Sequence, residues 1–197
     1  VTEPIERVEA GGVRTADGRL HELDVLVLAT GFHADAFMRP MGVVGRDGTE
    51  LADVWADRPT AYLSISIPEF PNLFLLGGMQ SGVTPNFTEL YDQQSQHMAY
   101  VIGHLLGKGL RRFETSNAAE EGWVRIIQES NFGNPDFGKS CTPGYYNNEG
   151  RPDEGPGWFG GSYGGGAQAF FALLREWRAR GGLEGFGEGQ HPRRHQG

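Results

Sequence analysis

Apolar residues follow two patterns along this chain. Up to about residue 76 they fall in short unbroken or alternating runs, and after residue 86 they recur at helical spacing. The sharpest run is Asp24-Val25-Leu26-Val27-Leu28-Ala29-Thr30-Gly31-Phe32. An apolar run of that length, bounded by an acid and a glycine, predicts a strand buried on both faces, as in a parallel sheet. It is expected to be the most buried strand of the chain. Ligands of such sheets bind just past the strand's carboxyl end, here Ala29-Thr30-Gly31. The same pattern also fits an ordinary core strand and a tight turn.

Upstream, Ile5 to Ala10 and Gly12 to Thr15 read as short strands. Ala16-Asp17-Gly18-Arg19 forms a hairpin turn between Val13 and Leu20. Residues 33–60 are irregular apart from a turn at Arg46-Asp47-Gly48-Thr49 and one helical turn over Leu51, Val54 and Trp55. Tyr62, Leu63, Ile65 and Ile67 lie in a β-prone stretch. Phe70-Pro71-Asn72-Leu73-Phe74-Leu75-Leu76-Gly77-Gly78 then repeats the earlier logic of a turn, a short apolar strand and terminal glycines. Asn86 with Glu89 makes a capping box, with Thr84-Pro85 as an alternative start, and Gly107 and Gly109 are the stops. The long helix between them carries Leu90, Met98, Val101, Ile102 and Leu105 at helical recurrence. Asn117 and Glu120 make a second capping box, for a helix facing inward through Trp123, Ile126 and Ile127. The last helix, Ala167 to Arg180, buries Phe170, Phe171, Leu174 and Trp177 and stops at Gly181-Gly182. Residues 131–167 carry no period, but their tyrosines and Trp158 argue against plain disorder.

Composition narrows the function. The chain has 197 residues, 38% of them apolar, and a mean hydropathy of -0.43. No run approaches the ~20 apolar residues of a membrane span. A net charge of -8 disfavours nucleic-acid binding. The single cysteine, Cys141, excludes an internal disulfide framework and fits a cytoplasmic setting. Val1-Thr2-Glu3-Pro4 has no initiator Met and no leader pattern, and reads as a chain entered in the middle.

Chemistry concentrates at the start of the long helix. A helix N-terminus after a glycine-rich turn offers free N–H groups to an anion, either a phosphate or the electron-rich edge of a flavin. It is equally the pattern of an ordinary capped helix. His97 and His104 lie seven apart, outside the four-residue spacing that chelates from one helix, so no metal site is expected. Cys141 reads as a packed thiol. Tyr145 and Tyr146 either line a pocket or staple a loop. No complete dinucleotide fingerprint or P-loop is present.

The run from Asp24 to Phe32 resembles the "D-hydrophobic-ATGF" segment of class B flavoprotein monooxygenases, specifically the Baeyer–Villiger monooxygenases. Phe70-Pro71-Asn72-Leu73-Phe74 with Gly77-Gly78 is similar to their "FPNLF…GP" strand and loop, with Gly78-Met79 where Gly-Pro is usual. Ala119-Glu120-Glu121-Gly122-Trp123-Val124 resembles their acidic-Trp helix. Cys141-Thr142-Pro143-Gly144-Tyr145-Tyr146-Asn147-Asn148-Glu149-Gly150 is similar to a segment of a branch acting on larger or aromatic ketones.

The resemblance implies an α/β fold, the C-terminal part of a flavoprotein with two Rossmann-like domains for FAD and NAD(P). The sheet is incomplete, and C-terminal helices and a long aromatic, glycine-rich loop follow it. It places residues 1–30 as the last strands of the NADPH-binding domain and 31–110 as the completion of the FAD domain. Residues 111–197 become C-terminal helices with a substrate-side loop. It implies FAD and NADP as cofactors, and ketone and O2 as reactants giving esters or lactones. The N-terminal remainder of its own chain is the implied partner. Ala29, Thr30, Gly31, Gly77, Gly78, Thr84, Asn86 and Phe87 fall on the cofactor, and Tyr145, Tyr146 and Asn147 on the substrate side. The family's catalytic and fingerprint residues lie upstream, so this stretch carries no catalytic residue and is expected to be inactive alone. N- or S-oxygenation and a non-enzymatic binding module are the competing readings.

Overall fold

The computed structural model describes residues 1–30, 41–56, 59–130, 139–144, 147, 150, 151 and 161–187. The chain forms two compact units, Val1–Ala34 and Asp35–Gly197. In the first, β1 (Ile5–Glu9), β2 (Gly12–Thr15) and β3 (Leu20–Glu22) make an antiparallel meander. Val8 pairs with Val13, and Val13 with His21. The β2–β3 turn uses Gly18 at φ 84°, as its Asp-Gly pattern predicts.

The expected buried strand at Asp24–Leu28 does not form. The chain leaves β3 at Glu22, and no strand among the described residues pairs with the apolar run. Val25 is 75% exposed, and Val27 and Leu28 are each 77% exposed. The reason is cooperative: a central strand gains its ladder and its cover from neighbours, and the described residues supply neither.

The second unit is mainly helical. A 3-10 turn at Arg46–Gly48 precedes α1 (Leu51–Val54). The long helix α2 (Phe87–Gly107), α3 (Asn117–Ser130) and α4 (Gly166–Ala179) follow. A two-stranded ribbon of β4 (Glu114–Thr115) and β5 (Phe186–Gly187) ties the end of the described chain to the start of α3. The larger core joins Leu90, Val101 and Leu105 of α2, Trp123 and Ile127 of α3, and Phe170, Phe171, Leu174 and Trp177 of α4. A smaller core gathers Leu51, Trp55, Ala61, Ile67, Phe70 and Leu75. The chain from Ala61 to Leu75 feeds both.

That segment is not a pair of strands. Tyr62 donates its N–H to the Ser66 carbonyl at 2.7 Å, closing a turn in which Leu63 (φ 49°) and Ser64 (φ 67°) are left-handed. The reversal stops the β-prone run, and only isolated bridges remain, Tyr62 to Ser66 and Ser66 to Phe74. Asn72, also left-handed at φ 62°, clamps the next segment. Its N–H donates to the Phe113 carbonyl (3.0 Å), its Nδ2 to the Arg111 carbonyl (3.1 Å), and its Oδ1 accepts from Phe113 N–H (3.2 Å).

The three long helices fall where the apolar period places them. The cap of α3 is Ser116 rather than Asn117: Ser116 Oγ accepts from Ala119 N–H at 3.3 Å. Ile126, expected on the inner face, is 43% exposed, and Trp123 and Ile127 carry the packing. Among the described residues no helix is long and apolar enough to cross a membrane.

Candidate functional site

The site is built from the loop Gly77–Gly82 and the first turn of α2, both in the second unit. At the helix start, Asn86 Oδ1 accepts from Glu89 N–H at 3.2 Å. The capping box is half formed, because Asn86 N–H donates to Thr84 Oγ1 at 3.0 Å instead of to Glu89. Thr84 therefore fixes the chain entering the helix. Among the described residues the N–H groups of Phe87 and Thr88 have no hydrogen-bond partner. With Asn86 and Phe87 both exposed, this end of α2 presents unpaired donors and a partial positive charge to its surroundings.

The loop is held from beneath by buried polar groups. Gln94, fully buried on α2, accepts from Gly77 N–H at 3.2 Å and donates through Nε2 to the Gly77 carbonyl at 2.8 Å. The same Nε2 lies 2.9 Å from Ser64 Oγ, which itself donates to the Met79 carbonyl. Gln80, left-handed at φ 53° and buried, accepts from Ala61 N–H at 2.8 Å. Ser81 Oγ donates to the Gly78 carbonyl (2.8 Å), and the Ser81 carbonyl accepts from Tyr163 N–H (2.9 Å). Gly82 forms a parallel bridge with Tyr163, whose ring stacks on Trp123 at 5.7 Å between centroids. Loop, α3 and the approach to α4 are thus locked together.

The residues singled out in the sequence fall into separate groups. Gly77, Gly78, Thr84, Asn86 and Phe87 lie together on this loop and helix start. Ala29 and Thr30 are exposed in the first unit, and Gly31 lies outside the described residues. Tyr145 and Tyr146 also lie outside them. Asn147 is buried, and its amide organises its own loop: Oδ1 accepts from Gly144 N–H (2.9 Å) and Gly150 N–H (3.1 Å), and Nδ2 donates to the carbonyls of Cys141 and Thr142. Cys141 is exposed, not packed as its pattern predicted. Two surface cavities, about 370 Å³ beside Arg46 and Phe70 and about 540 Å³ along Ala99, Gly103 and Gly107, contain none of these residues.

The apolar pattern missed Ser64, Gln80 and Gln94. The one legible sign was spacing: Gln94 stands four residues after Leu90, on the stripe that continues through His97 and Val101. His97 is also fully buried, its ring 4.7 Å from that of Trp177. Burial, and secondarily the Arg178 charge, push it down to about 3. His104 is exposed and stacked on Tyr100 at 3.9 Å, so the two histidines do not share an environment. Among the described residues no group of His, Cys, Asp and Glu could hold a metal ion.

No family model matches the sequence. The chain is 37% identical over 186 residues to pentalenolactone D synthase of Streptomyces exfoliatus, covering 92% of this chain and 32% of that protein. A Baeyer–Villiger monooxygenase of Penicillium patulum is 37% identical over 179 residues, 86% of this chain and 29% of that protein. The structure superposes on NADP+-bound cyclohexanone monooxygenase from Rhodococcus with a TM-score of 0.74, at 31% identity, over 94% of this chain and 34% of that one. Over nearly all of its length the chain is thus similar to a part of the Baeyer–Villiger monooxygenases. It spans about a third of the length of the curated relatives it matches. Its α/β arrangement of small sheets and helices corresponds to about a third of the flavoprotein fold of that cyclohexanone monooxygenase.

Proposed function

We propose that this chain is the C-terminal portion of an FAD- and NADPH-dependent monooxygenase that converts ketones to esters or lactones with O2. The observation that carries this reading is the Asn86-capped start of α2, rising from the glycine loop with the N–H groups of Phe87 and Thr88 unpaired. That donor set fits the electron-rich edge of a flavin, which gains negative charge on reduction. Gly77 and Gly78 allow close approach of a ring, and Thr84 orients the turn that aims the donors. When bound, FAD supplies the route for electrons from NADPH to O2.

In the same reading residues 1–30 end the NADPH-binding domain, 31–110 complete the FAD domain, and 111–197 add helices and the substrate-side loop. Ala29, Thr30 and Gly31 form the crossover between cofactor domains, and Tyr145, Tyr146 and Asn147 belong to the ketone side. The apolar run Val25–Leu28 is covered by the rest of the sheet, as its exposure requires. N- or S-oxygenation is the less favoured alternative, because the relative named for its chemistry is a Baeyer–Villiger monooxygenase.

The test is to purify the full-length protein and assay it with NADPH against cyclic and aryl ketones, amines and sulfides. The expected result is a yellow protein forming an ester or lactone in step with NADPH loss. Oxidation of amines and sulfides alone would overturn the assignment.

A further inference from the structure

Gln94 is an expensive residue in its position. It is a fully buried primary amide on the core face of α2, where Leu90, Val101 and Leu105 are apolar. A leucine there would need no partners, whereas a buried amide is tolerated only when hydrogen-bonded. All its bonds serve one place. Oε1 takes Gly77 N–H (3.2 Å), and Nε2 is shared between the Gly77 carbonyl (2.8 Å) and Ser64 Oγ (2.9 Å). The side chain therefore mimics a neighbouring strand at the one residue where the chain passes from the Phe74 bridge into the loop. Ser64 extends the hold to the Met79 carbonyl. The helix that carries Gln94 also carries the Asn86 cap, two turns earlier.

We propose that Gln94 is a positioning residue for the flavin: through Gly77 and Ser64 it sets the height and angle of the Gly77–Gly82 loop relative to the free N–H groups at the start of α2. This rests on the flavin reading above. One rigid helix then presents donors at its first turn and, from its third, fixes the loop that flanks the same ring. Without the amide, Gly77 N–H loses its partner, while the Gly77 carbonyl keeps only Ser64 Oγ (3.3 Å) and Ser64 Oγ loses its donor, so the loop must move toward water to satisfy the freed N–H.

The test compares Gln94→Leu and Gln94→Glu with the parent in the full-length FAD protein. The readouts are the FAD dissociation constant, the visible flavin spectrum and the flavin reduction potential. Gln94→Leu is expected to weaken FAD by about tenfold or more and to shift the spectrum and the potential. A glutamate carboxylate can accept from Gly77 N–H but cannot donate to the Gly77 carbonyl, whereas its protonated form can do both. Gln94→Glu should therefore lose FAD affinity at high pH and recover it as the pH falls. The recovery is scored relative to the parent at each pH, and a purely structural role would not produce it. If Gln94→Leu does not fold, the Gln94→Glu profile decides. Parent-like spectra, potentials and affinity in the folded variants, with no pH-dependent recovery, would overturn the positioning role while leaving the flavin reading intact. A colourless parent that binds no FAD would overturn both.

Discussion

Replacing Gly82 by alanine tests whether the loop and α4 are as tightly joined as the structure has them. A Cβ on Gly82 would lie 2.5 Å from the Gly166 carbonyl oxygen, 2.6 Å from Ala167 Cα and 2.7 Å from Ala167 N. All three are backbone atoms, so no rotamer change can make room. Carbon contacts are comfortable at about 3.5–4.0 Å, so the two chains must part by roughly 1 Å. Gly82 is not at positive φ, so the cost is steric and not conformational. Overpacking costs about 1–3 kcal/mol, and with only backbone to yield Gly82→Ala belongs near ~3 kcal/mol. Gly103→Ala is the control. Gly103 is inside α2 with nothing within 4 Å of its would-be Cβ, so the same substitution should stabilise by about 0.5–1 kcal/mol. Urea unfolding of the full-length protein, followed by the buried Trp123 and Trp177, should separate the two variants by about 4 kcal/mol. FAD retention should fall only in Gly82→Ala. A Gly82→Ala protein as stable as Gly103→Ala would refute the close approach and the lock it makes.

Two further outcomes follow from named contacts. Ser116→Ala should lower stability by about 1 kcal/mol by removing the cap from Ala119 N–H, while Asn117→Ala should leave it nearly unchanged; equal losses in thermal unfolding would restore Asn117 as the cap. His97 titrates near 6.5 when unfolded and, held down by burial, at about 3 when folded. The unfolded state therefore binds the extra proton between those values. Its contribution is fully present above pH 6.5 and is lost as the pH falls toward 3, with a limiting slope of about 1.4 kcal/mol per pH unit. His97→Leu should flatten that part of the stability–pH curve, and an unchanged slope would show that other groups carry it.

The helices were legible because each carries its own instructions. The period of Phe170, Phe171, Leu174 and Trp177 and the stop at Gly181 define α4 without reference to the rest of the chain. The meander, buried only along β2, was legible for the same reason, with an Asp-Gly turn between short runs. Asn86 was readable as a cap because the bond it makes reaches only three residues ahead. The cofactor motif was recognisable by resemblance, but its supports were not. Ser64, Gln80 and Gln94 look like solvent-facing residues in a pattern of polarity, and only the folded chain puts their partners Gly77, Met79 and Ala61 within reach.

The sequence by itself determined the local elements: the Asp-Gly hairpin turn, the Asn86 cap and, Ile126 apart, the apolar helix faces. Tertiary structure decided the elements that depend on distant partners. Tyr62–Ile67, β-prone by composition, became a turn because Leu63 and Ser64 took left-handed backbones to close it against Ser66, with Leu75 reaching back to the Ile65 carbonyl. The run Asp24–Leu28, the most strand-like stretch of all, stands exposed and pairs with no strand among the described residues. A helix satisfies its backbone within itself, so its residues suffice to specify it. A strand satisfies its backbone on its neighbours, so its residues specify only what it could become when those neighbours are present.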